Sequence, residues 1–154
     1  MLQSHPRLDS DAFSRLVPGA YPAIEALGDA ASAGELEGEL LELINLRASQ
    51  LNGCAYCVQY HTGNALKLGV PRDTLNLVVV WREAGIFSER EAAALAWTEA
   101  LTLLAETRVP DDTFAQARRV FSERELAALT AAIGAINVWN RISVAFRFAP
   151  AVST

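Results

Sequence analysis

Between Glu35 and Gln50, the residues Leu36, Leu40, Leu43, Ile44 and Leu46 recur at helical spacing and predict an amphipathic helix. Asn52-Gly53 breaks it, and a second helix is expected from about Cys54 to Leu68, closed by Gly69. So short a connection makes these two a helical hairpin. Upstream, Tyr21 to about Ala33 reads as a helix with Pro22 in its first turn. Residues 1–20 carry Pro6, Pro18 and Gly19 and read as an N-terminal arm with a helical turn around Asp9–Leu16. Downstream, Pro71 to Ala84 predicts a helix that buries Val78, Val79, Val80 and Trp81, stopped by Gly85. Ser88-Glu89-Arg90-Glu91 and Ser122-Glu123-Arg124-Glu125 are capping boxes, in which the Ser hydroxyl bonds the amide three residues on and the Glu reaches back. The first opens a helix through Trp97 to about Glu106, and the second a long one through Trp139 to about Phe146. Another helix starts at Pro110-Asp111-Asp112 and reaches about Val120.

The expected fold is therefore all-α: a compact bundle of about six to seven helices with a central hairpin. Ala and Leu dominate, which suits helices. A chain of 154 residues, 51% hydrophobic and 20% charged, reads as one domain spanning 1–154 with enough apolar surface for a core. Phe87-Ser88-Glu89-Arg90-Glu91 recurs as Phe121-Ser122-Glu123-Arg124-Glu125, which marks two similarly capped helices rather than a solenoid. The net charge of −5 argues against blanket phosphate binding, so no nucleic-acid partner is expected. Met1 to Arg7 has no signal-peptide apolar stretch, and Leu75 to Trp81 is too short for a span, so no membrane association is expected. The expected location is cytoplasmic, where a C-x-x-C pair points to redox or metal chemistry rather than to a structural staple.

Candidate chemistry gathers at the hairpin. On a helix, Cys54, Cys57 and His61 fall within about 60° of one another. Cys57 and His61 are an i,i+4 pair, so the imidazole can reach the sulfur. The free amides and dipole of a helix start favour a thiolate there. Glu42 lies roughly 15 Å before the turn and His61 roughly 12 Å after it, at 1.5 Å per residue. The two thus sit at similar depth, and Glu42 can orient His61 while His61 takes the Cys57 proton. Glu39 is the alternative partner one turn earlier.

The spacing Glu42-x11-Cys54-x2-Cys57-x3-His61 resembles the motif of the alkylhydroperoxidase D branch of the carboxymuconolactone decarboxylase family. The similarity runs from about Tyr21 to Phe146 and includes Trp81-Arg82-Glu83 and Ala96-Trp97-Thr98-Glu99-Ala100-Leu101. The resemblance implies an all-α fold, a homo-oligomer (dimer, trimer or hexamer) and a thiol peroxidase or thiol–disulfide oxidoreductase activity. By carry-over, Cys57 is the attacking thiolate that becomes a sulfenic acid, and Cys54 gives a proton and then resolves it as a disulfide. His61 and Glu42 form the proton relay. The substrate would be a hydroperoxide or disulfide, and no cofactor would be bound. An external dithiol donor protein, lipoyl-type or thioredoxin-type, would reopen the disulfide. One position departs: Tyr56 stands where the family's best-studied branch has a His before the second cysteine. A phenol bridges by hydrogen bonds but is no base near neutral pH.

Other readings stand beside this one. Cys54, Cys57, His61 and Glu42 are also a zinc-type ligand set, or the chain is a structural helical module that keeps the motif without turnover. A decarboxylase or isomerase of the wider family would use His61 as base, although that branch lacks the cysteine pair as a working element. Tyr56, Tyr60 and Trp81 are candidate pocket residues; Trp81, Trp97 and Trp139 also suit core or interface positions. Arg82 and Arg141 suit either an anionic substrate or surface ion pairs.

Overall fold

The computed structural model describes residues 5–33 and 36–151. Its helices run, in order, α1 (Ser10–Leu16), α2 (Ala20–Ser32), α3 (Gly38–Leu51), α4 (Ala55–Lys67), α5 (Arg72–Leu77), α6 (Trp81–Ala84), α7 (Glu89–Thr102), α8 (Leu104–Thr107), α9 (Asp111–Val120) and α10 (Glu123–Phe146). Among the described residues there is no strand, and the all-α expectation holds. No helix among them is long and apolar enough to cross a membrane.

The hairpin turn forms as its residues dictate. Gly53 takes the left-handed conformation, φ 66°, which costs glycine nothing. Its amide donates to the Gln50 carbonyl at 3.2 Å, and the Cys54 amide to the Ser49 carbonyl at 2.9 Å. These nested bonds satisfy carbonyls at the end of α3 that would otherwise lack partners. Cys54 then sits outside α4, at its N-cap, with extended backbone and its sulfur accepting from the Cys57 amide. It is thus the shared residue of two helix ends, not the first residue of a helical face.

α3 and α7 occupy the middle of the bundle. Leu40 and Ile44 of α3, Ala94 and Trp97 of α7, and Leu129 and Ile133 of α10 form one buried cluster. Leu43 and Leu46 of α3 join Ala65, Leu75, Val78, Trp81 and Leu95 in a second. Burying each Leu or Ile contributes about 1.5–3 kcal/mol, so the two faces of α3 carry much of the fold. The expected start of this helix at Glu35, and the Gly34 stop before it, lie outside the described residues. Both capping boxes form in full. The repeated segments also meet: Arg90 of the first copy donates to Glu125 of the second at 2.6 Å, and its guanidinium lies 4.4 Å from the centre of the Phe121 ring.

Two expected helices are interrupted. Residues 71–84 divide into α5, a 3-10 turn at Val78–Val80, and α6. Three residues per turn send only one of three consecutive side chains inward. Val78 is buried, whereas Val79 and Val80 are 52% and 49% exposed, contrary to the sequence expectation. The helix opened by Ser88 stops at Thr102, because Leu103 leaves helical geometry (φ −95°, ψ 36°). The Thr107 hydroxyl donates to the Ala100 carbonyl at 2.7 Å and so takes over one of the carbonyls freed there.

The N-terminal segment packs against the rest rather than projecting as an arm. The Arg7 amide donates to the Phe146 carbonyl at 2.9 Å, and the Arg7 guanidinium to the Ala145 carbonyl at 3.1 Å. Phe13 of α1 lies against Tyr21, Phe146 and Phe148. Residues 7–13 therefore pack against the C-terminal end of α10 and the residues just after it. His5 is exposed.

Candidate active site

Cys54 and Cys57 are joined by a disulfide, with Cα atoms 5.3 Å apart, within the usual span for such a bond. Their exposures are 1% and 3%. One turn along α4, His61 places Nδ1 2.7 Å from Glu42 Oε2. The side chains are 12% and 16% exposed. The carboxylate can only accept, so Nδ1 donates and Nε2 is left as the accepting nitrogen. The rise arithmetic therefore selects the right carboxylate: Glu42 meets His61, while Glu39 is exposed. The four expected catalytic residues occupy one small region.

Cys57 and His61 form part of the wall of a cavity of about 250 Å³; Cys54 and Glu42 lie behind it. Aromatic rings supply most of the remaining wall. Tyr56 and Tyr60 stack at 6.3 Å, and Phe148 meets Tyr56 edge-on at 6.0 Å. Tyr21 and Trp139, also in the wall, meet edge-on at 4.8 Å. Ser10, Glu25 and Ser143 complete the wall. Burial, followed by the neighbouring Tyr56 and Asp11, raises the Tyr21 phenol above its ordinary pKa. The cavity wall is thus apolar with a negative edge.

Tyr56 and Tyr60 line the cavity as the sequence suggested, but Trp81 does not. Its indole N–H instead donates to Glu99 Oε1 at 2.8 Å, because that carboxylate sits within the second core cluster's edge beside Arg47 and Arg82. Burial pushes the Glu99 carboxyl up, but the bonds from Trp81, Arg82 and Arg47 more than offset it and leave it below the usual range. Arg141 donates to the Asn137 carbonyl and Oδ1, and neither it nor Arg82 lines this cavity. The zinc reading needs several ligands to converge; among the described residues no group of three His, Cys, Asp or Glu does so.

A polar network that no sequence pattern announces pins the hairpin turn. Asn52 Nδ2 donates to Asn137 Oδ1 at 3.0 Å and to Asn140 Oδ1 at 2.9 Å, both on α10. Asn140 Nδ2 donates to the Ser49 hydroxyl at 3.0 Å. Ser49 and Asn140 are fully buried, and the Ser49 carbonyl is the one that holds the Cys54 amide. Also unforeseen were Tyr21, Trp139 and Phe148 as cavity wall. Aromatic residues concentrated near both chain ends were the available signal.

Comparison with known proteins agrees with this geometry. Residues 18–100 match the model of the carboxymuconolactone decarboxylase family. The uncharacterized protein YdfG of Bacillus subtilis is 40% identical over 104 residues, which cover 68% of this chain and 71% of that protein. A crystal structure of an Agrobacterium tumefaciens protein of unknown function, described as a candidate antioxidant defence protein AhpD, is 41% identical. It superposes with a TM-score of 0.91 over 97% of this chain and 100% of that one. The alkylhydroperoxidase AhpD core of a peroxidase-related protein from Ralstonia eutropha JMP134 shares the fold at 20% identity. Its TM-score is 0.78, covering 90% of this chain and 74% of that one. The chain belongs to the carboxymuconolactone decarboxylase family and has the AhpD-like helical fold of peroxidase-related proteins.

Proposed function

We propose that the protein is a thiol-dependent peroxidase, working as a thiol–disulfide oxidoreductase through Cys54 and Cys57. One observation carries the reading: the sulfur pair is disulfide-bonded and one member, Cys57, faces a cavity beside a His61 already bonded to Glu42. In the reduced protein, His61 Nε2 takes the Cys57 proton, and the start of α4 favours the resulting thiolate. The thiolate attacks the outer oxygen of a hydroperoxide. An S–O bond forms, the O–O bond breaks, and the alkoxide leaves with the proton from His61 as an alcohol. Cys54 then attacks the sulfenic sulfur, the S–S bond forms, and hydroxide departs with the Cys54 proton as water. The substrate gains two electrons, and the pair of thiols supplies them. An external dithiol, lipoyl-type or thioredoxin-type, returns them by exchange.

The assignment of roles follows from access. Cys57 lines the cavity and Cys54 does not, so the substrate meets Cys57 first. Tyr56 stacks on Tyr60 and serves as wall rather than as a base. A decarboxylase must seat a carboxylate, and no Lys or Arg is among the described residues lining this cavity. The reading also takes the protein as a cytoplasmic homo-oligomer.

The test counts thiols and metal in one purified sample. Hydroperoxide should remove two thiols per chain, a dithiol should restore them, and Cys57→Ser should abolish peroxide consumption. Stoichiometric zinc with protected thiols, or full activity without Cys57, would overturn the mechanism.

A further inference from the structure

The cavity wall has a chemical bias that the thiol chemistry alone does not require. Hydrogen peroxide needs only a thiolate and a proton donor. Here five aromatic side chains, Tyr21, Tyr56, Tyr60, Trp139 and Phe148, enclose the approach to Cys57. The rings come from α2, α4, α10 and the C-terminal tail, so three distant parts of the chain converge to build one wall. An apolar cavity of roughly 150 Å³ holds a benzene ring. At about 250 Å³, this one accommodates a single ring with a short reactive arm, and is too small for a long acyl chain.

Charge gives the second half of the argument. Apart from His61, which is bonded to Glu42, the acidic or basic residue in the described wall is Glu25. Asp11 stands near enough to act on Tyr21. Ring faces are themselves electron-rich. An anionic substrate would therefore meet repulsion from Glu25 with no Lys or Arg in the described wall to offset it.

Resting on the peroxidase reading, we infer that this cavity is a specificity pocket for an arylalkyl hydroperoxide that bears no negative charge. The ring of the substrate packs between the Tyr56–Tyr60 pair and the Tyr21–Trp139 pair, and its hydroperoxide arm points at Cys57. Glu25 at the edge turns away carboxylated analogues. The reaction is the one written above, with the arylalkyl alcohol as product.

The pocket can be probed without turnover. In the reduced wild-type protein, the rate of Cys57 alkylation is measured with phenacyl bromide (neutral, aromatic), iodoacetamide (neutral, small) and iodoacetate (anionic). Peptide mapping locates the label, and each rate is divided by that of the same reagent with N-acetylcysteamine, a neutral thiol. The expected order is phenacyl bromide at least tenfold above iodoacetamide, and iodoacetate at least tenfold below it. Tyr60→Ala, at a position 55% exposed and so tolerant of truncation, should cut the aromatic preference at least threefold. Glu25→Lys, on the exposed side of α2, should raise the iodoacetate rate at least tenfold. Cumene hydroperoxide should likewise be consumed at least tenfold faster than its 4-carboxylate. Equal normalised rates for the three reagents, or an iodoacetate rate unmoved by Glu25→Lys, would overturn the inference even in an active peroxidase. The expected alkylation order with no consumption of any hydroperoxide would support the pocket's selectivity and overturn the peroxidase reading instead.

Discussion

Replacing Glu42 with Gln asks whether the carboxylate drives the chemistry or merely holds a ring in place. Glutamine keeps the length and shape of the side chain and can still accept a hydrogen bond from His61 Nδ1, but it removes the charge. The pair is close, at 2.7 Å, and only 12% and 16% exposed, so solvent screens it less than a surface pair. Two unit charges at about 4 Å and an effective dielectric of about 20 interact by about 4 kcal/mol, an upper bound. A hydrogen bond to a charged group is worth about 1.5–3 kcal/mol. Taking about 2 kcal/mol as the loss when His61 accepts the Cys57 proton, the rate of thiolate attack should fall about 30-fold. Stopped-flow oxidation of the reduced protein at pH 7 gives this rate directly, and iodoacetamide alkylation gives it again without a peroxide. Glu42→Ala, which also removes the acceptor, should fall further. Circular dichroism confirms that each variant is folded. A Glu42→Gln rate within twofold of wild type would refute the relay and leave the carboxylate a structural acceptor.

Three further outcomes follow from the packing. Asn140→Ala removes two buried side-chain bonds, to Asn52 and Ser49, and should lower the unfolding free energy by about 2–3 kcal/mol in urea titration; a loss under about 0.5 kcal/mol would mean that the turn does not depend on α10. The depressed carboxyl of Glu99 stabilises the native state above its unfolded pKa and loses that contribution as pH falls through its lower folded value. Wild type should therefore lose stability more steeply than Glu99→Gln between about pH 5 and pH 3, near the ordinary Glu range, and parallel urea midpoints across that window would refute the assignment. Ser122→Ala breaks the reciprocal cap of α10 and should cost about 1 kcal/mol, read from the shift in urea midpoint against Ser122→Gly, which should cost only a few tenths.

The hairpin was readable from the sequence because every step in it is local. Asn52-Gly53 fixes the turn, 1.5 Å per residue fixes depth, and depth puts Glu42 opposite His61. The two capping boxes were readable for the same reason. The failures are equally physical. A continuous helix would bury Val79 and Val80, and a three-residue change of helical type turns them outward. Cys54 was placed on the helical face, whereas its extended backbone makes it the cap. The aromatic wall joins positions 21, 56, 139 and 148, and the pin joins 52 to 137 and 140. No period or spacing links such distant residues; only the packing of α10 brings them together.

α10 has two duties at the site. Asn137 and Asn140 hold the turn that carries Cys54, while Trp139 and Ser143 line the cavity in front of Cys57. Wall and nucleophile are therefore referenced to one rigid element, and a substrate packed on Trp139 is positioned relative to the sulfur rather than to a loop. In the disulfide form the backbone of Cys54 is also held by bonds independent of the sulfurs: its amide donates to the Ser49 carbonyl, and the Ser49 hydroxyl accepts from Asn140. On the proposed mechanism, reduction opens the S–S bond and leaves these backbone bonds to hold the chain that bears it. On that mechanism the resolving thiol stays one helical turn from the sulfenic acid it meets, and reclosure costs little conformational entropy. On the proposed reading, a site built this way favours rapid cycling between dithiol and disulfide, and leaves the choice of substrate to the rings around Cys57.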